Sequence, residues 1–380
     1  MSRVPLRVAI LGAGNVGQEV IRALVQRAPD LTAADGAPLE LVGIAVRDLA
    51  QARAAGLPVD LLTDAPAHLV ADPEVDLIVE LMGGDEPAHT LIAAALAAGK
   101  PVVTANKHVI AHHGPQLEAI ARRTGAALRF EAAVGGGIPV LGPLATDLAA
   151  NRVIAVRGIV NGTTNYILTA MADEGRDYAE VLAAAQAAGY AEADPSGDVE
   201  GHDAVNKLVI LARLAFGVWL DPASVETTGR DGPGRERPGI TGIEAADIAA
   251  AAAAGRTIKL IAEARRAADG RIVASVLPTA VDSGSPLGRT SGVLNRIEIE
   301  AEPVGTVAFS GPGAGGPATS SAVLGDLVAI ARGLGSTWAG LPPAGPASSA
   351  PASSAPASPI AAPTANATPA TAGAFSGASR

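Results

Sequence analysis

From residue 6 to about 133 the chain alternates short apolar runs with stretches whose apolar residues recur at helical spacing. Arg7-Val8-Ala9-Ile10-Leu11-Gly12 is an apolar run closed by glycine, and Val16, Val20, Ile21 and Leu24 follow on one helical face. Leu39 to Val46, Val75 to Leu81, Pro101 to Thr104 and Ala127 to Glu131 predict further strands. Pro87 to Ala98 and Pro115 to Arg123 predict helices between them. Strict alternation of strand and helix implies a parallel sheet with crossover helices, hence an α/β, doubly wound Rossmann domain over residues 1–133.

The pattern changes at Gly135-Gly136-Gly137. From 134 to 305, strand-like segments (Arg152 to Val160, Arg271 to Leu277, Val293 to Ile299) mix with long alanine-rich helical stretches, including Tyr178 to Ala188 and Val199 to Phe216. This predicts an α+β domain that covers a substrate and forms a homodimer. A glycine-rich turn, Ser310 to Gly316, then precedes a helix from about Ala318 to Arg332, so that 306–338 is expected to return to the first domain. From 339 to 380 the composition falls to Ala, Pro, Ser and Thr, with Arg380 as the single charge. Such a segment buries too little to offset its ordering entropy and is expected to be disordered.

Composition removes several function classes. The net charge of -10, without a Lys/Arg cluster interleaved with aromatics, argues against nucleic acid as a partner. The absence of cysteine excludes disulfides, thiolate metal sites and a covalent thioester mechanism. Aromatics at 2% mean interiors packed with Ala, Val, Leu and Ile. The run Ala245 to Ala254 is broken by Asp247 and too weakly apolar to span a membrane, and the N-terminus runs straight into a strand. A cytoplasmic protein is expected.

The candidate chemistry begins with Gly12-Ala13-Gly14-Asn15-Val16-Gly17, which follows a strand and opens a helix. Gly12 permits a tight turn, Gly14 lets the backbone approach a pyrophosphate, and Gly17 allows close helix–strand packing, while the helix N-terminus offers free N–H groups. At the end of the second strand, Arg47 suits a ribose 2′-phosphate and the adjacent Asp48 suits free ribose hydroxyls, so NADP is favoured over NAD. Lys107, in Thr104-Ala105-Asn106-Lys107, lies past the C-terminal end of a strand, the edge where ligands bind in open parallel sheets.

The densest constellation runs from Gly189 to Lys207. Asp198 stands where an N-cap would start the next helix, and Asp203 and Lys207 share a face one turn apart. This can be a surface ion pair or, with Glu192 and Asp194 beside it, a site for an amino-acid substrate with one proton donor; spacing does not separate the two. Asn161-Gly162-Thr163-Thr164-Asn165-Tyr166 is either a capped helix start or the polar floor of a pocket. The six histidines show no metal-binding spacing.

Taken together, these motifs resemble the homoserine dehydrogenase family over nearly the whole chain to about residue 335. Glu131-Ala132-Ala133-Val134-Gly135-Gly136-Gly137-Ile138-Pro139 and Gly311-Pro312-Gly313-Ala314-Gly315 also carry the likeness. The resemblance implies reduction of L-aspartate 4-semialdehyde to L-homoserine, on the route to threonine and methionine. It implies Lys207 as proton donor, Glu192 and Asp203 as substrate-binding residues with Asp198 a further candidate, and Lys107 and Gly313 beside the cofactor. Glu131, Val134, Gly136 and Ile138 match positions that hold a monovalent cation, usually sodium, largely through backbone oxygens. Many relatives carry a C-terminal ACT domain where this chain has its low-complexity tail, so threonine inhibition is not expected. The competing readings are a non-catalytic dinucleotide-binding sensor and an oxidoreductase acting on another amino-acid-derived carbonyl.

Overall fold

A computed structural model describes residues 4–31, 36–228 and 237–345. The first domain contains β1 (Leu6–Leu11), α1 (Asn15–Leu31), β2 (Leu39–Ala45), α2 (Leu49–Ala54), β3 (Leu62–Thr63), α3 (Pro66–Ala71), β4 (Leu77–Glu80), α4 (Ala88–Ala97), β5 (Val102–Thr104), α5 (Lys107–Thr124) and β6 (Leu128–Arg129). Its six strands lie in the order β3-β2-β1-β4-β5-β6, and every pairing is parallel. Val8 to Leu11 and Leu77 to Val79 are fully buried, as continuous apolar strands covered on both faces must be. The chain reverses direction across the sheet between β1 and β4, which opens a crevice at their C-terminal ends.

The second region contains α6 (Leu141–Ala145), β7 (Arg152–Ile159), α7 (Gly162–Glu174), α8 (Tyr178–Ala187), α9 (Ser196–Val199), α10 (His202–Phe216), α11 (Ala245–Ala253), β8 (Arg256–Arg266), β9 (Ile272–Asp282), β10 (Leu294–Glu302), β11 (Gly305–Pro312) and α12 (Gly316–Ala331). Its sheet runs β11-β10-β7-β8-β9, antiparallel throughout. No helix among the described residues is long and apolar enough to cross a membrane.

Helix α10 is buried from Ala204 to Leu214, so its polar members need partners. Arg213 donates to Glu118 on α5 at 2.9 and 2.6 Å, and the Trp219 indole donates to the same carboxylate at 2.8 Å. This joint ties the second region to the first. It also orders the segment after Ala339: Arg213 reaches the Pro342 carbonyl and Arg122 the Leu341 carbonyl, while Gly345 bridges Val218. Residues 339–345, though mostly exposed, are therefore held in place by these bonds, and the rest of the tail expected to be disordered lies outside the described residues. The return to the first domain begins after Pro312 and not at 306, because Gly305–Pro312 pairs along β10. Helix α12 then packs beside α1, with Asp326 bonded to Arg129 at 2.7 Å.

Two predicted helix starts move. Helix α5 begins at Lys107 because the Asn106 side chain caps it by accepting from Val109 N, and Pro115 sits inside the helix. The predicted helix from Val199 divides at Gly201, whose φ of +88° breaks it. Asp198 consequently lies within α9 and is not the cap of α10.

Candidate active site

The glycine turn sits at the crevice between β1 and β4. Gly12 has φ +103°, and a Cβ there would lie 2.6 Å from the Leu81 carbonyl oxygen. At Gly17 a Cβ would lie 2.2 Å from the Gly12 oxygen, whereas at Gly14 it would meet nothing within 4 Å. Two glycines are thus required by packing and the third leaves open space on the ligand side, as a pyrophosphate needs. A cleft of about 830 Å³ opens there, lined by Gly12, Gly14, Asn15, Arg47, Leu81, Met82, Gly83 and Glu86, among others. Val16 packs its side chain into the neighbouring core.

At the end of β2 the two charges divide. The Asp48 carboxylate accepts from Ala50 N and Gln51 N, both at 2.9 Å, and so is committed to capping α2. Arg47 is exposed on the cleft wall, and its side chain has no hydrogen-bond or ion-pair partner among the described residues.

Helices α5 and α10 pack together and bring three charged groups into contact. Lys207 Nζ donates to Asp203 Oδ2 at 2.8 Å and to the Val160 carbonyl at 2.6 Å. Lys107 Nζ lies 3.1 Å from Asp203 Oδ1. The side chains of Lys207 and Asp203 are only 9% and 12% exposed, which removes the surface ion-pair reading, while that of Lys107 is 40% exposed. Burial alone would push the Asp203 carboxyl up, but the ammonium groups of Lys207 and Lys107 hold it well below the usual carboxylate range. The Asp203 charge in turn raises Lys107, with Asp198 and Glu192 adding to it.

Asn161 caps α7 and also reaches into this cluster. Its Oδ1 caps α7 through Thr164 N at 2.8 Å, and its Nδ2 donates to Asp198 Oδ1 at 2.7 Å and Asp203 Oδ2 at 2.8 Å. Glu192 is exposed on the adjoining loop, with a carboxylate free of hydrogen bonds among the described residues. Asp194 caps Ser196 N and is not part of the cluster.

The triple-glycine segment lies against the second glycine-rich loop: a Cβ on Gly136 would sit 2.7 Å from the Gly313 oxygen. The Glu131 carboxylate accepts from Val140 N, Leu141 N and Gly142 N, so it caps α6. Burial pushes that carboxyl up, and its backbone bonds oppose the shift. Next to Gly313, the fully buried Asn295 amide has no partner among the described residues for either polar atom. Four histidines, 89, 108, 112 and 113, gather near Asp85, but no set of three or more acidic or histidine side chains among the described residues is arranged to hold a metal ion.

A family model described as homoserine dehydrogenase matches residues 139–328, and one described as homoserine dehydrogenase, NAD binding domain, matches residues 12–131. The homoserine dehydrogenase of Mycobacterium leprae is 50% identical over 329 residues, covering 86% of this chain and 72% of its own. The crystal structure of a homoserine dehydrogenase from Thiobacillus denitrificans is 41% identical with a TM-score of 0.80, covering 86% of this chain and 73% of that one. A hyperthermophilic archaeal homoserine dehydrogenase solved in complex with NADPH is 28% identical with a TM-score of 0.70, covering 86% and 97% of the two chains.

Proposed function

This chain belongs to the homoserine dehydrogenase family and is an oxidoreductase, and from that premise we propose that it reduces L-aspartate 4-semialdehyde to L-homoserine with Lys207 as the proton donor. The observation that carries the assignment of Lys207 is its place at the end of a buried bridge, Lys107–Asp203–Lys207. An ammonium has three N–H donors, and two of these are committed to Asp203 and Val160. The third is left for the substrate oxygen.

A bound nicotinamide dinucleotide supplies the hydride. As the aldehyde carbon is reduced, negative charge gathers on its oxygen, where Lys207 stabilises it and then gives up the proton. Asp203 keeps Lys207 aimed and holds Lys107 beside it, and Asn161 fixes the rotamer of Asp203 through its second hydrogen bond. The free carboxylate of Glu192 suits the ammonium group of an amino-acid substrate, with Asp203 and Asp198 forming the negative wall behind it.

Gly12, Gly14, Asn15, Val16 and Gly17 would hold the pyrophosphate and Gly313 would close the nicotinamide end. The unpaired Arg47 beside a committed Asp48 favours NADP over NAD. A sodium ion fits the 131–138 segment: the main-chain oxygens of Val134, Gly136 and Ile138 accept no hydrogen bond among the described residues, and the orphaned Asn295 amide lies next to the adjoining Gly313. In this role Glu131 would contribute its main-chain oxygen, which also accepts from Val134 N at 3.4 Å, since its carboxylate is spent on α6. Residues 1–133 bind the cofactor, and residues 134–305 bind substrate and form a homodimer.

Oxidation of NADPH by the purified protein with aspartate semialdehyde, and reduction of NADP with homoserine, tests this reading. Turnover in both directions supports it. Tight NADPH binding with no turnover would leave a dinucleotide-binding sensor instead.

A further inference from the structure

We propose that Glu80 is a positioning residue for the reaction, coupling the wall of the dinucleotide cleft to the start of the helix that carries Lys107. Glu80 ends β4 at the topological switch point and is 0% exposed. Buried carboxylates normally face a cation. Glu80 has no ion-pair partner among the described residues and is satisfied by neutral donors instead. Its Oε1 accepts from Met82 N at 2.7 Å and Gly83 N at 3.3 Å, and its Oε2 accepts from the Thr104 hydroxyl at 2.7 Å.

From there the network divides and closes on itself. The Thr104 hydroxyl accepts from Asn106 N at 2.9 Å. Asn106 then donates to the Gly84 carbonyl at 2.8 Å and accepts from Val109 N at 3.2 Å, which caps α5. One end of this ring is the 81–84 segment, on which the glycine turn rests: a Cβ on Gly12 would lie 2.8 Å from Met82 N. The other end is the first turn of α5, which sets Lys107 within 3.1 Å of Asp203. A shift of either end is felt at the other.

An acceptor with no hydrogen of its own is needed at this point, since all three neighbours donate. Glutamine would have to turn its NH2 either toward the Thr104 hydroxyl, which leaves that hydroxyl hydrogen without its acceptor, or toward Met82 N and Gly83 N, which are themselves donors. Burial pushes the Glu80 carboxyl up, and the bonds from Thr104, Met82 and Gly83, with the Asn106 side chain adding to them, work against that shift.

The inference rests on the cleft being the nicotinamide site and on Lys107 belonging to the active site, so its test separates binding from turnover. The affinity of the full chain for NADPH is measured by fluorescence titration without substrate, alongside kcat and KM, for the wild type, Glu80→Gln, Thr104→Val and Thr104→Ser. Loss of a buried hydrogen-bond partner predicts about ten-fold weaker NADPH binding and about ten-fold lower kcat in Glu80→Gln. Thr104→Val, which cuts the branch to α5 and leaves the bonds of Glu80 to Met82 N and Gly83 N in place, keeps NADPH affinity near wild type and lowers kcat by about ten-fold, and Thr104→Ser restores it. A Glu80→Gln protein with wild-type affinity and kcat overturns the inference. If that variant does not fold, Thr104→Val with wild-type kcat overturns it equally. A wild type that binds no NADPH instead removes the reading of the cleft.

Discussion

Asp203 Oδ2 accepts a hydrogen bond from Lys207 Nζ at 2.8 Å, one turn along the same helix, while its other oxygen faces Lys107 at 3.1 Å. On a surface such an i,i+4 pair would contribute a few tenths of a kcal/mol. Buried, it is a different object: removing one partner leaves a desolvated charge, at a cost of about 3–5 kcal/mol. The local geometry is that of a helix pair; its energetic weight comes from the elements packed around it.

Asp203→Asn should therefore lower both stability and turnover. Because the two ammonium groups depress the folded-state pKa of Asp203, its stabilising contribution is fully present above its unfolded value, about pH 4, and is lost as pH falls toward the folded value. The stability difference between wild type and Asp203→Asn should be constant from pH 8 to about pH 5 and shrink below that. Denaturant titrations across this range check it; a difference that grows on acidification contradicts it.

Gly14→Ala and Gly17→Ala should behave differently despite sharing one motif. A Cβ at 14 meets nothing within 4 Å, so that variant should fold with near-wild-type Tm and lose cofactor affinity. At 17 it lies 2.2 Å from a backbone oxygen, so that variant should lose stability as well. Thermal unfolding and NADPH titration of the two proteins separate the effects; equal Tm losses would contradict the open space assigned to Gly14.

Arg47→Ala should weaken NADPH binding roughly 10- to 100-fold, the range for a charge-assisted arginine–phosphate contact, and leave NADH unaffected. Equal effects on both cofactors would mean that Arg47 does not meet the 2′-phosphate.

Lys259 predicts a pH effect of the same sign in the alkaline range. Its ammonium is 3% exposed and bonded to Asn165 Oδ1 at 3.0 Å and the Thr290 carbonyl at 2.8 Å, with no carboxylate in contact, and burial lowers its pKa to about 8. Between pH 8 and about 10.5 the unfolded chain then binds more protons than the folded one, so stability rises with pH over that window. The wild type should gain about 3 kcal/mol on Lys259→Met across it, judged by denaturant unfolding. A difference independent of pH would show that Lys259 titrates normally.

Much of the site is legible in single segments, because the physics there is local. The glycine turn announces itself by following a strand and opening a helix, and the four-residue spacing of Asp203 and Lys207 sets their contact. What stays hidden depends on chain reversal. Nothing near Lys107 reveals that α10 will present Asp203 to it, and Asn161 gives no sign that it bonds two carboxylates from another segment. Glu80 reads as the polar end of an apolar strand until β5 sets Thr104 beside it. The misplaced start of α5 has a local cause: Pro115 looks like a first-turn proline, but the Asn106 cap acts nine residues earlier. The misplaced start of α10 has one too, since Asp198 is a good capping residue in a short helix that Gly201 ends.

The central claim is that Lys207 protonates the forming alkoxide, and kcat of Lys207→Ala with NADPH and aspartate semialdehyde, read beside its NADPH affinity, tests it most directly. Removing a positioned proton donor should lower kcat by about 10²- to 10⁴-fold while affinity for NADPH stays near wild type. Near-wild-type turnover in that variant would contradict the role of Lys207 and, with it, this account of the site.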